Sequence, residues 1–416
     1  MRIHHRVLIL SIAVLLACTT DEAPSLPESL PRSDTPSAPV PDLEPPDSTT
    51  LPESLPRSDA PSAPAPDLEP PDSTRGSWTW REEFRIGGID GPPEQMFGGS
   101  IVTVARSPAG HLFVLDEQAE SITVFDASGA HLHSFAGPGQ GPGELNSPAA
   151  MAFDSLGRLW VANGFNKRYT LFDSTGATLR TVTRPFSVEA RIQHNLLFDG
   201  ISHFIDETGR DGRIHFFRVD TTGAVLDSFP PLVRPQRFSG NVSSLSTPRP
   251  YDRTVLNYLP RLIWTLAPDG TLWSADNSAL RLLHRSLSGD TLDMIVATHR
   301  DSLVIDGTTQ QRARAEFRRL GLDDSQYRLV RPVLQAIHAL PDGHLLLQIE
   351  TEPGVDSNVL DVVDPLGHYI GTLRLPLRLS SRGIPAIFGD TIVAIMSDSL
   401  DTPYLVRLVL ERPSAP

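Results

Sequence analysis

The chain has 416 residues, 38 of them proline, with 36 basic against 50 acidic side chains, a formal net charge of −14 and one cysteine. This length allows one large domain or two to three ordinary ones, and 39% apolar residues suffice for a core. The acidic balance argues against a nucleic-acid partner, which needs a cationic footprint. A lone cysteine excludes an internal disulfide, a cysteine-based zinc cluster and a C-x-x-C redox pair, and no apolar run reaches the 18 residues of a conventional membrane span.

The first element is a targeting segment. Arg2 and Arg6 precede an apolar run from Val7 to Ala17. As a helix it spans only about 16 Å, half of a bilayer core, so residues 1–17 read as an export signal and not as an anchor. The segment ends Leu15-Leu16-Ala17-Cys18, which resembles the lipobox of bacterial lipoproteins. That resemblance implies cleavage before Cys18 and acylation of its thiol and of the new amino terminus. Several acyl chains hold a protein firmly where one binds only marginally.

A tether follows over residues 18–77. Residues 26–49 are repeated as 51–74, differing only at Thr35/Ala60 and Val40/Ala65. From Thr19 to Ser77 there are 15 prolines, 12 acidic residues and 3 arginines. Such a composition cannot bury enough apolar surface to offset its ordering entropy, so a disordered spacer with polyproline II character is expected. Its reach has a ceiling on the order of 180 Å at about 3.1 Å per residue.

The remaining residues, 78–416, carry a two-part rhythm. A small-residue turn precedes a β-rich run at Gly110, Gly157, Gly270 and Gly343, with weaker copies at Asp199-Gly200 and Gly389-Asp390. An Asp-x-x-Gly turn precedes a further short strand at Asp126/Gly129, Asp173/Gly176, Asp220/Gly223 and Asp364/Gly367, with Ser288-Gly289 as a variant. Both are hairpin chemistry. The second glycines fall 47, 47, 66 and 78 residues apart. Four strands and three turns need roughly 40–50 residues, the period of a propeller blade, so the long intervals imply inserts. The fold class expected is all-β: a six-bladed β-propeller of four-stranded antiparallel blades, beginning near residues 101, 149, 196, 262, 335 and 384.

The second unit carries a resemblance. Gly137-Pro-Gly139-Gln-Gly141-Pro-Gly143-Glu-Leu145, Met151-Ala-Phe153-Asp154, Gly157-Arg-Leu-Trp-Val-Ala-Asn163, Asn166-Lys-Arg168 and Phe172-Asp173 look like an NHL-type repeat, which implies six blades of this kind. Independently, the last unit from Ile384 to Glu411 has room for only three strands, while Trp78 to Ile86 is a strand without a blade. Residues 78–86 are therefore expected to complete the last blade as its outer strand, removing open edges.

Two inserts stand between blades. Thr308-Thr-Gln-Gln311 reads as a capping box opening a helix. Ala313, Phe317 and Leu320 form its apolar stripe, Arg318 and Arg319 lie in the last turn and Gly321 ends it. Residues 230–260, rich in Pro and Ser, read as a long loop. Both inserts join an outer strand to the next inner strand, on the face where propeller ligands usually bind.

Catalytic signatures are missing: no G-x-S-x-G, H-E-x-x-H, cysteine nucleophile or P-loop lysine. A strand follows the glycines of 137–143, which makes them a turn and not a dinucleotide fingerprint. His131 and His133 share a face of an outer strand and read as a solvated pair. His194 and His338 lie at or near inner strands, where amidating lyases of similar propeller fold place zinc ligands. Asp206, Glu207 and Asp211 read as a hydrated acidic turn. Arginines cluster in the entry loops: Arg184, Arg191, Arg249, Arg261, Arg331 and Arg382. Guanidinium forks suit carboxylates or phosphates, so Arg191, Arg261, Arg331, Arg382 and His338 form the candidate ligand-binding set. No catalytic residue and no resident metal is assigned, with zinc or calcium at the propeller axis as the alternative.

The leading functional reading is a lipid-anchored module of the bacterial cell envelope that binds a protein, peptide or glycan without catalysis. The rivals are a metal-dependent hydrolase, lactonase or lyase using the central channel, and a structural scaffold of an envelope complex. Partners expected are the membrane, through the N-terminal lipid, and an envelope ligand; no nucleic acid is expected.

Overall fold

The computed structural model describes residues 78–97, 102–184, 196–198, 203–208, 213–233, 257–277, 281–296, 305–319, 325, 328–352, 355–381 and 383–413. The expected signal, Cys18 and the tether lie outside the described residues, as do His194, Asp211, Arg191, Arg249 and Arg382.

The described residues open with β1 (Thr79–Gly87) and then run through five four-stranded antiparallel meanders. The first blade holds β2 (Val102–Arg106), β3 (Leu112–Asp116), β4 (Ser121–Phe125) and β5 (His131–Ala136). The second holds β6 (Pro148–Phe153), β7 (Leu159–Asn163), β8 (Arg168–Phe172) and β9 (Thr178–Thr183). The third holds β10 (Leu196–Phe198), β11 (His203–Thr208), β12 (Arg213–Val219) and β13 (Val225–Val233). The fourth holds β14 (Leu262–Leu266), β15 (Leu272–Asp276), β16 (Arg281–Arg285) and β17 (Thr291–Val296), after which comes helix α1 (Gly307–Arg319). The fifth holds β18 (Leu334–Ala339), β19 (Leu345–Ile349), β20 (Val359–Val363) and β21 (Tyr369–Arg374).

The sixth sheet departs from the expected pattern. It contains β22 (Arg378–Leu379), β23 (Ala386–Phe388), β24 (Thr391–Ser397) and β25 (Pro403–Glu411), with β1 outermost, and so has five strands in the order β1-β25-β24-β22 with β23 also on β24. The described residues thus give five four-stranded blades where six were expected. The difference lies at the inner position, which is divided between the two short strands β22 and β23 because they pair with different halves of β24. The first and last described strands meet here, Thr79 opposite Glu411 and Gly87 opposite Tyr404.

The turns explain why the strands begin where they do. In the first blade Gly129 N donates to Asp126 O, and the Asp126 carboxylate accepts the amides of Ser128 and Ala130. The same net recurs at Asp173, Asp220 and Asp364. Hydrogen bonds from the hydroxyls of Ser128, Thr175 and Thr222, joined by these amides, hold the carboxyls of Asp126, Asp173 and Asp220 below the usual range.

The second glycine of each unit does more than supply a turn. A Cβ at Gly176 would stand 2.5 Å from the Phe135 ring on β5, and one at Gly223 2.6 Å from Val182 on β9. Gly367 meets Ile295 on β17 in the same way, and Gly129 meets Ile86 and Phe84 on β1. Each of these turns is therefore seated against the outer strand of the preceding sheet, and β1 fills that role for the first blade.

The apolar core is divided among the seams between neighbouring sheets. Phe113 and Leu115 of the first blade pack with Met151 and Val161 of the second. Tyr169 and Val182 meet Val219 of the third, and Phe216 and Leu232 meet Trp264 and Leu272 of the fourth. Leu282 and Ile295 pack with Leu334 and Leu347 of the fifth, whose Leu360 and Leu373 meet Ile392 and Leu408. Val393 and Leu405 return to Val104 and Val114 of the first blade. The Val104 amide also donates to Ile384 O at 2.9 Å. The seams follow one another round a closed ring.

Three local expectations are corrected. The helix opens on Asp306, whose carboxylate accepts Thr309 N at 2.9 Å, and not on a box at Thr308–Gln311; an aspartate one residue before the helix reaches the free amides better. Ala313 and Phe317 are buried as predicted, and residues 320 and 321 lie outside the described residues. Pro230 and Pro231 belong to β13 and not to a loop, because an outer strand leaves one side unpaired and tolerates a missing amide hydrogen. His131 and His133 are half-buried and not fully solvated, each ring lying beside a phenylalanine, Phe125 and Phe135. No helix among the described residues is long and apolar enough to cross a membrane.

Candidate functional site

In a four-stranded meander the second-to-third loop and the connection to the next blade open on the same face, opposite the two glycine turns. The polar groups of this connection face are built from the ends of the second strands. Asn163 closes β7; its Oδ1 accepts Asn146 N and its Nδ2 donates to Glu144 O, both at 2.8 Å. Arg168 donates to the carbonyl oxygens of Gln140, Gly141 and Glu144, and the Glu144 carboxylate accepts Gly141 N. The glycine-rich segment 137–145 is thereby tied into the second blade as a connection whose carbonyls are already engaged. Next to it, Glu120 and Glu117 accept the amide and hydroxyl of Ser147.

The fourth and fifth blades repeat this arrangement with charge added. Asn277, one residue past β15, accepts Arg261 N on Oδ1 at 2.8 Å, and its carbonyl accepts Val333 N at 2.7 Å. Arg261 reaches across to Glu350, one residue past β19, at 2.8 Å. The Glu350 side chain is fully buried while that of Arg261 remains 42% exposed. The pair therefore aims a guanidinium outwards from a buried anionic seat.

His338 lies on β18 in a separate network. Its Nε2 stands 3.4 Å from Gln348 Oε1, and Gln348 Nε2 donates to Leu379 O at 2.7 Å and to Gln335 Oε1 at 3.2 Å. Gln335 Oε1 also accepts Ser357 N. Burial pushes the His338 imidazole down to about 4, against the opposing hydrogen bond to Gln348, so it is neutral at pH 7.

Of the predicted set, Arg261 lies in the ion pair with Glu350, Arg331 is half-buried just before β18, and His338 is buried. No hydrogen bond or ion pair joins these three to one another among the described residues. Arg191 and Arg382 lie outside those residues. Sequence reasoning missed Asn277, Glu350, Gln335 and Gln348. A signal for the first two was present: counted from the small-residue turn, Asp116 and Asn163 are the last residues of the second strand of their unit, and Asn277 and Glu350 each follow that strand directly, so a polar side chain marks its end in all four units. Among the described residues no group of three or more His, Cys, Asp or Glu side chains could hold a metal ion.

No family model matches the sequence, and no curated protein matches it. The chain is similar to solved structures across most of its length. One is virginiamycin B lyase from Staphylococcus aureus, in a catalytically inactive form with quinupristin, at 13% identity over 80% of this chain and 99% of that one, with a TM-score of 0.42. Another is a member of the DUF4221 family from Bacteroides vulgatus, at 12% identity over 82% and 98%, TM-score 0.47. A third is a protein described as exported, from Bacteroides fragilis, at 11% identity over 80% and 96%, TM-score 0.49. The class of this chain, a propeller of four-stranded antiparallel blades, rests on its own strand order and not on these likenesses.

Proposed function

We propose that this protein is a lipid-anchored module of the bacterial cell envelope that binds a protein, peptide or glycan without catalysis, on a ring of NHL-type blades in which the terminal five-stranded sheet serves as the sixth. The observation that carries the binding reading is the Arg261–Glu350 pair. A buried carboxylate fixes a half-exposed guanidinium on the connection face, which suits recognition of an anionic group in a preset geometry. Cys18 within Leu15-Leu16-Ala17-Cys18 supports the anchor, and the acidic duplicated segment supports a spacer between membrane and ring.

The rival reading, a metal-dependent hydrolase, lactonase or lyase, draws on His338, whose neutral imidazole has the protonation state a metal ligand needs. Metabolic labelling of the full chain with palmitate tests the anchor: Cys18→Ser should lose the label and leave the membrane fraction, and an unlabelled natural chain overturns it. Elemental analysis of the purified full chain separates the other two. Stoichiometric zinc or calcium, lost in His338→Asn, overturns the non-catalytic reading.

A further inference from the structure

Arg184 directly follows β9 and is 3% exposed, yet its Nε, Nη1 and Nη2 are all buried without a hydrogen-bond partner. Its main chain is fixed, with its amide donating to Lys167 O at 2.9 Å. The guanidinium carbon lies 5.9 Å from the centroid of the Tyr169 ring. That ring packs with Trp160 and Val182 of the second blade and with Phe217 and Val219 of the third. Arg184 therefore stands in the seam between these two blades, at its connection-face end.

A guanidinium does not shed its proton in a protein, so burial cannot neutralise it as it neutralises His338. A buried cation without a counter-charge or hydrogen bonds is among the most costly arrangements a fold can hold, and one aromatic face offsets only part of that cost. Elsewhere in the ring this cost is met: Glu350 has Arg261, Asp154 has Arg158 and Trp160, and Arg168 gives its Nη groups to three carbonyls. Arg184 stands apart from all of them.

We propose that Arg184 is the anion-recognition residue of a ligand site in the seam between the second and third blades, and that the ligand presents a carboxylate. One guanidinium balances one carboxylate, whose two oxygens match two parallel N–H donors. A phosphate dianion would carry a second charge into a seam with one buried cation. Lys167, exposed and the only lysine of the chain, is bonded to Arg184 through its carbonyl and adds positive charge at the approach. The proposal goes beyond the binding reading above by placing an anion site apart from Arg261, and it does not depend on the lipid anchor.

The test is thermal unfolding of the full chain and of Arg184→Met in sodium acetate, sodium chloride and inorganic phosphate at matched ionic strength. Methionine keeps an apolar stem in the seam and removes the charge. Acetate should raise the Tm of the natural chain saturably beyond chloride, and phosphate should not. Arg184→Met should melt no lower than the natural chain in chloride and lose the acetate response. A variant that melts several degrees lower, with no acetate response in the natural chain, makes Arg184 a purely structural cation and overturns the site. A phosphate response exceeding that of acetate overturns the ligand class. Arginine Nε–Hε resonances of the natural chain give a reading that needs no variant: none shifting across the acetate titration also defeats the proposal. Its failure leaves the anchored binding module standing, since palmitate labelling and metal content judge that separately.

Discussion

The indole Nε1 of Trp80 donates to the carbonyl oxygen of Arg374 at 2.6 Å, joining the first strand of the ring to the outer strand of the fifth blade across 294 residues of sequence. Beside it the Trp78 ring lies under the Arg412 guanidinium, which also binds Asp342 and Asp390. β1 and the residues around Arg412 are thus fastened to the fifth blade as well as to each other.

Removing residues 79–87 should therefore abolish cooperative unfolding, because it strips β25 of its outer partner and Gly129 of its seat. Trp80→Phe keeps the ring and loses one hydrogen bond, and should cost about 1 kcal/mol. Chemical denaturation of both variants checks this; an unchanged melt on deletion would remove β1 from the ring.

Two glycines with similar backbone angles should respond differently to alanine. Gly270 has φ +81° and open space where a Cβ would stand, so Gly270→Ala should cost only the backbone strain, about 1 kcal/mol. Gly176 has φ +87° and the Phe135 ring 2.5 Å away, so Gly176→Ala adds overpacking and should cost roughly 3 kcal/mol. Equal losses in urea titrations would show that the turns are not seated on the preceding sheets.

His338 makes stability depend on pH. Its imidazole is held at about 4 in the folded ring against 6.5 as its ordinary value, so between these values the unfolded chain binds the extra proton. The contribution is complete above about pH 6.5 and is lost as pH falls through the window towards 4. From pH 8 to pH 5 the loss should be about 2 kcal/mol. His338→Asn should flatten that part of the profile, read by denaturant unfolding at each pH.

Arg261→Ala leaves the Glu350 carboxylate buried without this counter-charge. With Arg261 half in solvent the loss should be about 2 kcal/mol, below the value for a fully buried pair. Glu350→Gln should cost less, and adding it to Arg261→Ala should cost less than the sum of the two. A double-mutant cycle in urea measures the coupling, and strict additivity would mean that the pair does not interact.

What was legible in the sequence was local. The spacing of Gly129, Gly176 and Gly223 revealed the blades because a turn writes its needs into three or four adjacent residues. The blade openings at Val102, Pro148, Leu196, Leu262 and Leu334 follow from that spacing. The divided inner position of the terminal sheet was not legible, since β22 and β23 are too short to leave a pattern. Pro230 and Pro231 misled because only the tertiary position of β13, at an outer edge, makes them acceptable in a strand. The candidate site was less legible still. Arg261 finds Glu350 89 residues away, and His338 meets Gln348 across a hairpin. With 35 arginines in the chain, nothing in composition marks Arg184 out; burial alone distinguishes it.

The pairing of β1 with β25 also sets a timetable. β1 has no partner until β25 has been made, so the ring cannot close before synthesis has passed Glu411. Until then the Phe84 and Ile86 side chains and the free edge of β1 remain open to wrong partners. Blades can form one after another as local meanders, but the final act of folding is a meeting of ends. Completion is therefore all-or-none with respect to length: a chain truncated before β25 keeps most of its blades and loses its closure.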